Sequence, residues 1–305
     1  MYNQNNRDPY EMYRIKQKRK KARRKRLAFR TAVVIVVVIL VAATLFSIGS
    51  CVNNLVCSNC SSGEGALTDA TETTSTKATK PTEPEPTIPA KVTGPVEPSF
   101  FDKTVIVGDS ITLGLSYYLE KQNNQGNKPL GDAFVLCNGS LGYINAKENP
   151  VGDSNCRLPV YKGKQQPIED SVADIGAERV YILLGMNDVA RADSKTLITY
   201  VKDLTDKIIK KSPNVRICLE STTPLIASKQ GLYLNDENIR KFDKELKKFA
   251  KEMDYSYIDL YSVVADDKGH LKDEYCGDPQ NMGLHFNDTA QAAVVDYLIN
   301  HPDGI

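Results

Sequence analysis

Apolar residues follow two regimes in this chain, divided near residue 100. Before it lies one long uncharged run, Thr31 to Ser50 (TAVVIVVVILVAATLFSIGS), with little apolar periodicity on either side. After it, short apolar runs alternate with segments of helical period. The runs are Lys103–Val107, Ala133–Cys137, Arg179–Leu184, Val215–Leu219 and Tyr257–Leu260. RVYILL at 179–184 is apolar after its first residue, as a strand buried on both faces should be. Leu197, Tyr200, Val201, Leu204 and Ile208 mark one helical face, and Ile239, Phe242, Leu246, Phe249 and Met253 mark another. A helix over Ile111–Gln122 and a last one from an Asn287-Asp288-Thr289 N-cap to Asn300 complete the alternation. Such alternation predicts an α/β fold with a five-stranded parallel sheet covered on both faces. Pro150 to Pro167 is polar and irregular and reads as an excursion over the surface.

The early run changes the picture. At 1.5 Å per residue its twenty residues make about 30 Å of helix, the thickness of a bilayer core. The formal charge of the 305-residue chain is only +1, but residues 1–30 hold twelve Lys/Arg against Asp8 and Glu11. A basic block immediately before an apolar span puts the N-terminus in the cytoplasm and the rest outside. Contact with anionic lipid accounts for the block without nucleic acid. A cleaved signal peptide would have a shorter apolar region and a brief leader, so a retained single-span anchor is expected. Ile48-Gly49-Ser50-Cys51 resembles a bacterial lipobox; cleavage there would leave the same domain tethered through a lipidated Cys51. Residues 51–100 are rich in Ser, Thr, Pro and Glu and read as a disordered stalk. The expected layout is a cytoplasmic tail (1–30), a membrane helix (31–50), the stalk (51–100) and a folded catalytic domain (101–305). Cys57-x-x-Cys60 has no second pair or folded context and reads as disulfide or lipid-proximal thiols rather than a metal site. Cys137, Cys156, Cys218 and Cys276 fall in the outer domain, where pairing is open, although Cys218 lies in an expected buried strand.

The candidate chemistry starts at the first strand. Val105-Ile106-Val107 stops at Gly108; Asp109 and Ser110 follow, then the helical period. A strand, a sharp turn and a helix start hold a hydroxyl at the carboxyl edge of a sheet, where open α/β folds bind ligands. The free N–H groups and positive dipole of the helix favour a developing anion there. A serine nucleophile needs a base and oxyanion donors. There are three histidines. His270 sits in a polar turn and is expected to be exposed; His301 lies past the last helix and is expected to be solvated. His285, just before the last helix, is left as the base. Gly142, after the second strand, and the Asn187 amide, after the third, are the candidate oxyanion donors. Asp109 and Asp188 are expected to hold loops through backbone N–H groups rather than to bind magnesium. There is no Gly-x-Ser-x-Gly elbow and no phosphate loop.

Gly108-Asp109-Ser110, the glycine ending Asn138-Gly139-Ser140-Leu141-Gly142, Gly185-Met186-Asn187-Asp188 and the late His285 together resemble the SGNH (GDSL-type) hydrolases, in the order of that family's blocks. The resemblance covers residues 103–300. It implies a three-layer α/β/α sandwich, no metal or cofactor, Ser110 as nucleophile and His285 as base. It further implies an oxyanion hole from the N–H groups of Ser110 and Gly142 and the Asn187 side chain. One position departs: the family has an orienting Asp three residues before its histidine, and here Met282 stands there. Three arrangements are open. Asp278 folds in from an enlarged loop; a backbone carbonyl orients the ring, leaving a dyad; or the site is weakened.

The function expected on this resemblance is an extracytoplasmic, membrane-tethered serine esterase. It would remove small acyl groups, acetyl first among them, from carbohydrate or cell-envelope substrates. An O-acyltransferase using the same serine, supplied by an acyl-donor partner, is the nearest alternative. A weakened SGNH-fold module that binds glycan or protein is the other.

Overall fold

The computed structural model describes residues 87–304. The expected basic tail, membrane helix and most of the stalk, with Cys51, Cys57 and Cys60, lie outside the described residues. Among the described residues no helix is long and apolar enough to cross a membrane.

Five parallel strands form the central sheet: β1 (Thr104–Gly108), β2 (Phe134–Cys137), β5 (Arg179–Leu183), β6 (Arg216–Glu220) and β7 (Ser256–Ile258). Their spatial order is β2-β1-β5-β6-β7. Every residue of β1, β5 and β6 is buried, whereas β2, at one edge, exposes Phe134. The apolar runs therefore form the strands expected, and the unbroken ones take the centre, where helices cover both faces. The last run is shorter than expected. The chain leaves the sheet at Asp259, whose carboxylate accepts the Ser262 N–H and starts a one-turn helix.

The covering helices are α1 (Ser110–Asn124), α2 (Tyr143–Glu148), α3 (Ile168–Ile175), α4 (Ser194–Lys211), α5 (Asp236–Glu252), α6 (Leu260–Val264) and α7 (Asp288–Asn300). The two strongly periodic segments became α4 and α5. Ile239, Phe242, Leu246 and Phe249 are buried as expected, while Met253 ends the helix partly exposed. Tyr200 packs partly buried against the edge of the core, and its hydroxyl donates to Glu148 at 2.6 Å. Asn287 caps α7 by accepting from Thr289 and Ala290. The excursion is less irregular than expected. Val160–Tyr161 (β3) and Lys164–Gln165 (β4) form a small antiparallel hairpin, and Cys156, Leu158 and Tyr161 anchor it in the core.

The stalk was expected to run to residue 100, but the chain joins the domain earlier. The Pro89 and Ala90 carbonyls accept from Arg216 and Arg179, at 2.6 and 3.1 Å, at the amino ends of β6 and β5. The Val92 N–H donates to Asp303 and the Val96 N–H to the Ile299 carbonyl. Asp303 also accepts from Ser256 at 2.7 Å, so one buried carboxylate ties both ends of the domain to the sheet. Cys137, Cys156, Cys218 and Cys276 are free thiols, and Cys218 is wholly buried in β6.

Phe242 fills the space between α5 and the loop after β5, fully buried against Tyr143 at a ring separation of 6.3 Å. Phe242→Ala should destabilise the domain by about 3–5 kcal/mol through lost burial and a residual cavity. Urea unfolding checks this: the midpoint falls at an unchanged m-value.

Candidate active site

In this strand order the connections diverge between β1 and β5, and the crevice at the carboxyl ends of those strands is where such sheets bind ligands. Ser110 follows β1 and is the first residue of α1; Asp109 caps that helix, accepting the Ile111 N–H at 2.9 Å. Asn187 and Asp188 follow β5 across the crevice. His285 arrives from the loop before α7.

The structure brings Ser110, His285 and Asp278 into one relay. His285 Nε2 lies 3.0 Å from Ser110 Oγ, and its Nδ1 lies 2.6 Å from Asp278 Oδ2. These partners fix the tautomer: Nδ1 carries the hydrogen toward the carboxylate, and Nε2 accepts from the serine hydroxyl. All three residues are about nine-tenths buried. Of the three arrangements left open by the sequence, the structure shows the first. Met282 turns its side chain outward, 51% exposed, and contributes only its N–H.

The 278–285 loop is built around the Asp278 carboxylate. Oδ2 accepts the Met282 N–H at 3.2 Å; Oδ1 accepts the N–H groups of Leu284 and His285, each at 3.1 Å. The Asp278 carbonyl accepts from Asn281 and Gly283. Gly283 makes the turn in the left-handed region (φ +65°), and a Cβ there would strike the side chains of Lys229 and Ile226. The Gly277 N–H donates to the His285 carbonyl at 2.7 Å, and Cys276 bridges Phe286 in antiparallel fashion. Burial pushes the Asp278 carboxyl up. The His285 hydrogen bond and charge, with the backbone N–H groups, pull harder the other way and hold it below the usual aspartate range.

The oxyanion candidates stand at the same edge but are occupied by the chain itself. The Gly142 N–H donates to Asn145 Oδ1 at 3.0 Å. The Asn187 amide donates to the Leu141 carbonyl at 3.0 Å and to Asp109 Oδ2 at 3.2 Å. The Ser110 N–H, at the first position of α1, has no acceptor within its own helix. Asp188 holds the Gly142 loop through the N–H groups of Tyr143 and Ile144. A Cβ at Gly142 would lie 2.5 Å from the Asp188 carboxylate, so only glycine admits this approach. Both aspartates therefore hold loops, as expected. Complete burial pushes Asp109 up to about 7, against the pull of the Ile111 N–H and His285. Burial likewise lifts Asp188 to about 6. Among the described residues no group of three or more His, Cys, Asp or Glu is placed to hold a metal ion.

The other two histidines differ from expectation. His270 is half-buried, with Nδ1 2.7 Å from Asp236 Oδ2. That carboxylate also receives the Leu225 N–H and the Gln230 amide, pinning the loop after β6. His301 ends α7 with its ring 4.8 Å from that of Tyr297. Neither joins the relay. Asn145 and Asp236 were not singled out from sequence, although Asp236 stands beside an Asn N-cap, the usual mark of a helix start.

A hydroxyl, an imidazole and a buried carboxylate in hydrogen-bond series at the switch point of a parallel sheet define a site of the serine ester hydrolase class. The chain belongs to the GDSL-like lipase/acylhydrolase family, whose sequence model matches residues 106–293. It is an ester hydrolase of that SGNH type. A search of curated proteins finds no match. Similar solved structures include an acetyl xylan esterase (19% identity, TM-score 0.44, covering 64% of this chain and 97% of that one). Another is the periplasmic domain of a Salmonella ser. Paratyphi A lipopolysaccharide acetyltransferase (17%, 0.45, 64% and 82%). A third is a lipase/acylhydrolase from Enterococcus faecalis (16%, 0.44, 65% and 93%).

One buried acid, at the carboxyl end of β6, yields a stability prediction. Burial raises Glu220, at the end of β6, from its ordinary 4.5 to about 8. Between those values the native state keeps a proton that the unfolded chain has lost, so this group lowers stability as pH rises. Asp109 and Asp188 act in the same sense, so Glu220→Gln should make the fall in stability between pH 5 and pH 8 shallower without abolishing it, read from urea midpoints across that range.

Proposed function

We propose that Ser110 is the nucleophile of a small-acyl esterase, with His285 as its base and Asp278 as the group that orients it. The observation that carries this reading is the unbroken series Ser110 Oγ, His285 and Asp278 Oδ2, with separations of 3.0 and 2.6 Å. Ser110 Oγ attacks the acyl carbonyl while His285 Nε2 takes its proton; Asp278 stabilises the imidazolium without itself accepting the proton. The oxyanion forms at the Ser110 N–H. It draws the Gly142 N–H from Asn145, and one Asn187 hydrogen from Asp109 or Leu141. Collapse expels the alcohol, which leaves with the proton on His285. Water, deprotonated by the same imidazole, then releases the acid. Because Asp278 supplies the carboxylate missing at position 282, a weakened, purely binding site loses its main support.

The reading extends to substrate and place. The apolar run at 31–50 behind a basic block supports a single-span anchor with the enzyme outside the cytoplasm, facing acyl esters on carbohydrate or cell-envelope polymers, acetyl esters first. If so, protease added to spheroplasts should digest the 101–305 domain and spare the tail; a domain protected until lysis overturns this placement.

The catalytic assignment is tested with the purified full chain and a chromogenic acetyl ester. Ser110→Ala and His285→Ala should abolish turnover, and a fluorophosphonate should label Ser110; wild-type turnover in Ser110→Ala overturns the assignment. Asp278→Asn should lower kcat by up to about 10⁴, the loss expected when the imidazole is left in the wrong tautomer. Asn187→Ala should cost about 10²–10³ as an oxyanion donor is lost. Met282→Ala should leave kcat within twofold.

A further inference from the structure

We propose that Cys276 is a positioning residue of the active site, its thiol acting as a further donor to the Asp278 carboxylate. This rests on the esterase reading above and deepens it. Cys276 Sγ lies 3.6 Å from Asp278 Oδ1, within reach of an S–H···O hydrogen bond, and the residue is buried. The other donors to that carboxylate come from its own loop: the N–H groups of Met282, Leu284 and His285, and His285 Nδ1–H. Cys276 alone reaches it from the strand-like segment preceding the loop. That segment is fixed independently: the Gly277 N–H donates to the His285 carbonyl, Cys276 bridges Phe286, and the Asn287 N–H donates to the Tyr275 carbonyl. A thiol on such a segment limits rotation of the carboxylate and keeps Oδ2 toward the imidazole.

The thiol is available for this. Burial raises its pKa above the ordinary cysteine value, so at neutral pH it keeps the hydrogen it donates. Five donors converge on a carboxylate that accepts at about four lone-pair sites; the thiol shares Oδ1 with the Leu284 and His285 N–H groups, while Oδ2 takes the Met282 N–H and the imidazole. Removing one leaves the carboxylate more basic and freer to turn. Two consequences follow for the imidazole. It is held less well, which lowers kcat, and a more basic partner favours the imidazolium, which moves the acid limb of the rate profile to higher pH; Asp109, the other carboxyl that faces His285, is the same in every variant, so the difference between variants reports on Asp278.

The test uses the full chain, the chromogenic acetyl ester and three variants. Cys276→Ala and Cys276→Val remove the donor, the second preserving bulk; Cys276→Ser restores a hydroxyl donor. Ala and Val should each lower kcat about three- to tenfold, the scale of one lost hydrogen bond, with KM unchanged. Their acid limb should move up by roughly half a pH unit. Ser should return kcat to within twofold of wild type and move the limb back. Should Ala fail to fold, as judged by urea unfolding, Val carries the comparison. Wild-type kcat and pH profile in the donorless variants overturns the inference, as does a Ser variant indistinguishable from Val. Ser110→Ala run alongside separates the two claims: its activity reports on the esterase reading, and the Cys276 series reports on this one.

Discussion

The site depends on keeping one anion in place. Asp278 is a carboxylate taken out of water, and a charge so placed is stable only if donors replace its hydration. The loop to His285 supplies them: three backbone N–H groups and the imidazole converge on two oxygens. The same contacts set the loop's path, the tautomer of His285 and the direction in which Nε2 looks. Folding the loop and orienting the imidazole are thus one event. The carboxylate that polarises the ring also ties the backbone on which the ring rides.

The opposite wall of the crevice is held by buried acids of another kind. Asp109 and Asp188 each accept backbone N–H groups at a loop start, yet burial lifts both well above ordinary aspartate values. Asp278, with more donors and an imidazole beside it, goes the other way. The contrast separates two uses of a buried aspartate within one crevice. One ties loops and tolerates a proton near neutral pH; the other stays ionised, as a partner to imidazolium must.

Much of this was readable from the chain. Unbroken β-branched runs mark the central strands because helices cover both faces, and a 3.6 period marks α4 and α5 because one face of each is buried. Ser110, Gly142, Asn187 and His285 could be placed because each follows a strand or precedes a helix at the same edge. The short helices α2, α3 and α6 were not legible, since six, eight and five residues give too little periodicity. Asp278 was legible only as an option. Nothing in Asp278-Pro279-Gln280-Asn281-Met282-Gly283-Leu284-His285 says that the carboxylate turns back onto its own loop; that follows from the Gly283 turn and its packing on Ile226 and Lys229. The early junction at Pro89 was hidden for a similar reason. It is made by main-chain carbonyls meeting Arg179 and Arg216, and a Pro-rich segment looks the same whether or not such cations wait for it.

That junction also gives the domain a polarity. Residues 89 to 92 dock at the amino ends of the strands, and Ser110, Asn187 and His285 gather at the carboxyl ends. The chain therefore enters at the pole opposite the catalytic mouth. A handle attached ahead of Pro89, whether a bead, a surface or a fused protein, holds the enzyme by its base and leaves the edge that carries Ser110 and His285 uncovered. The incoming segment also gives the buried guanidinium groups of Arg179 and Arg216 main-chain acceptors, so the end by which the molecule is gripped is also the end at which these two cations are satisfied.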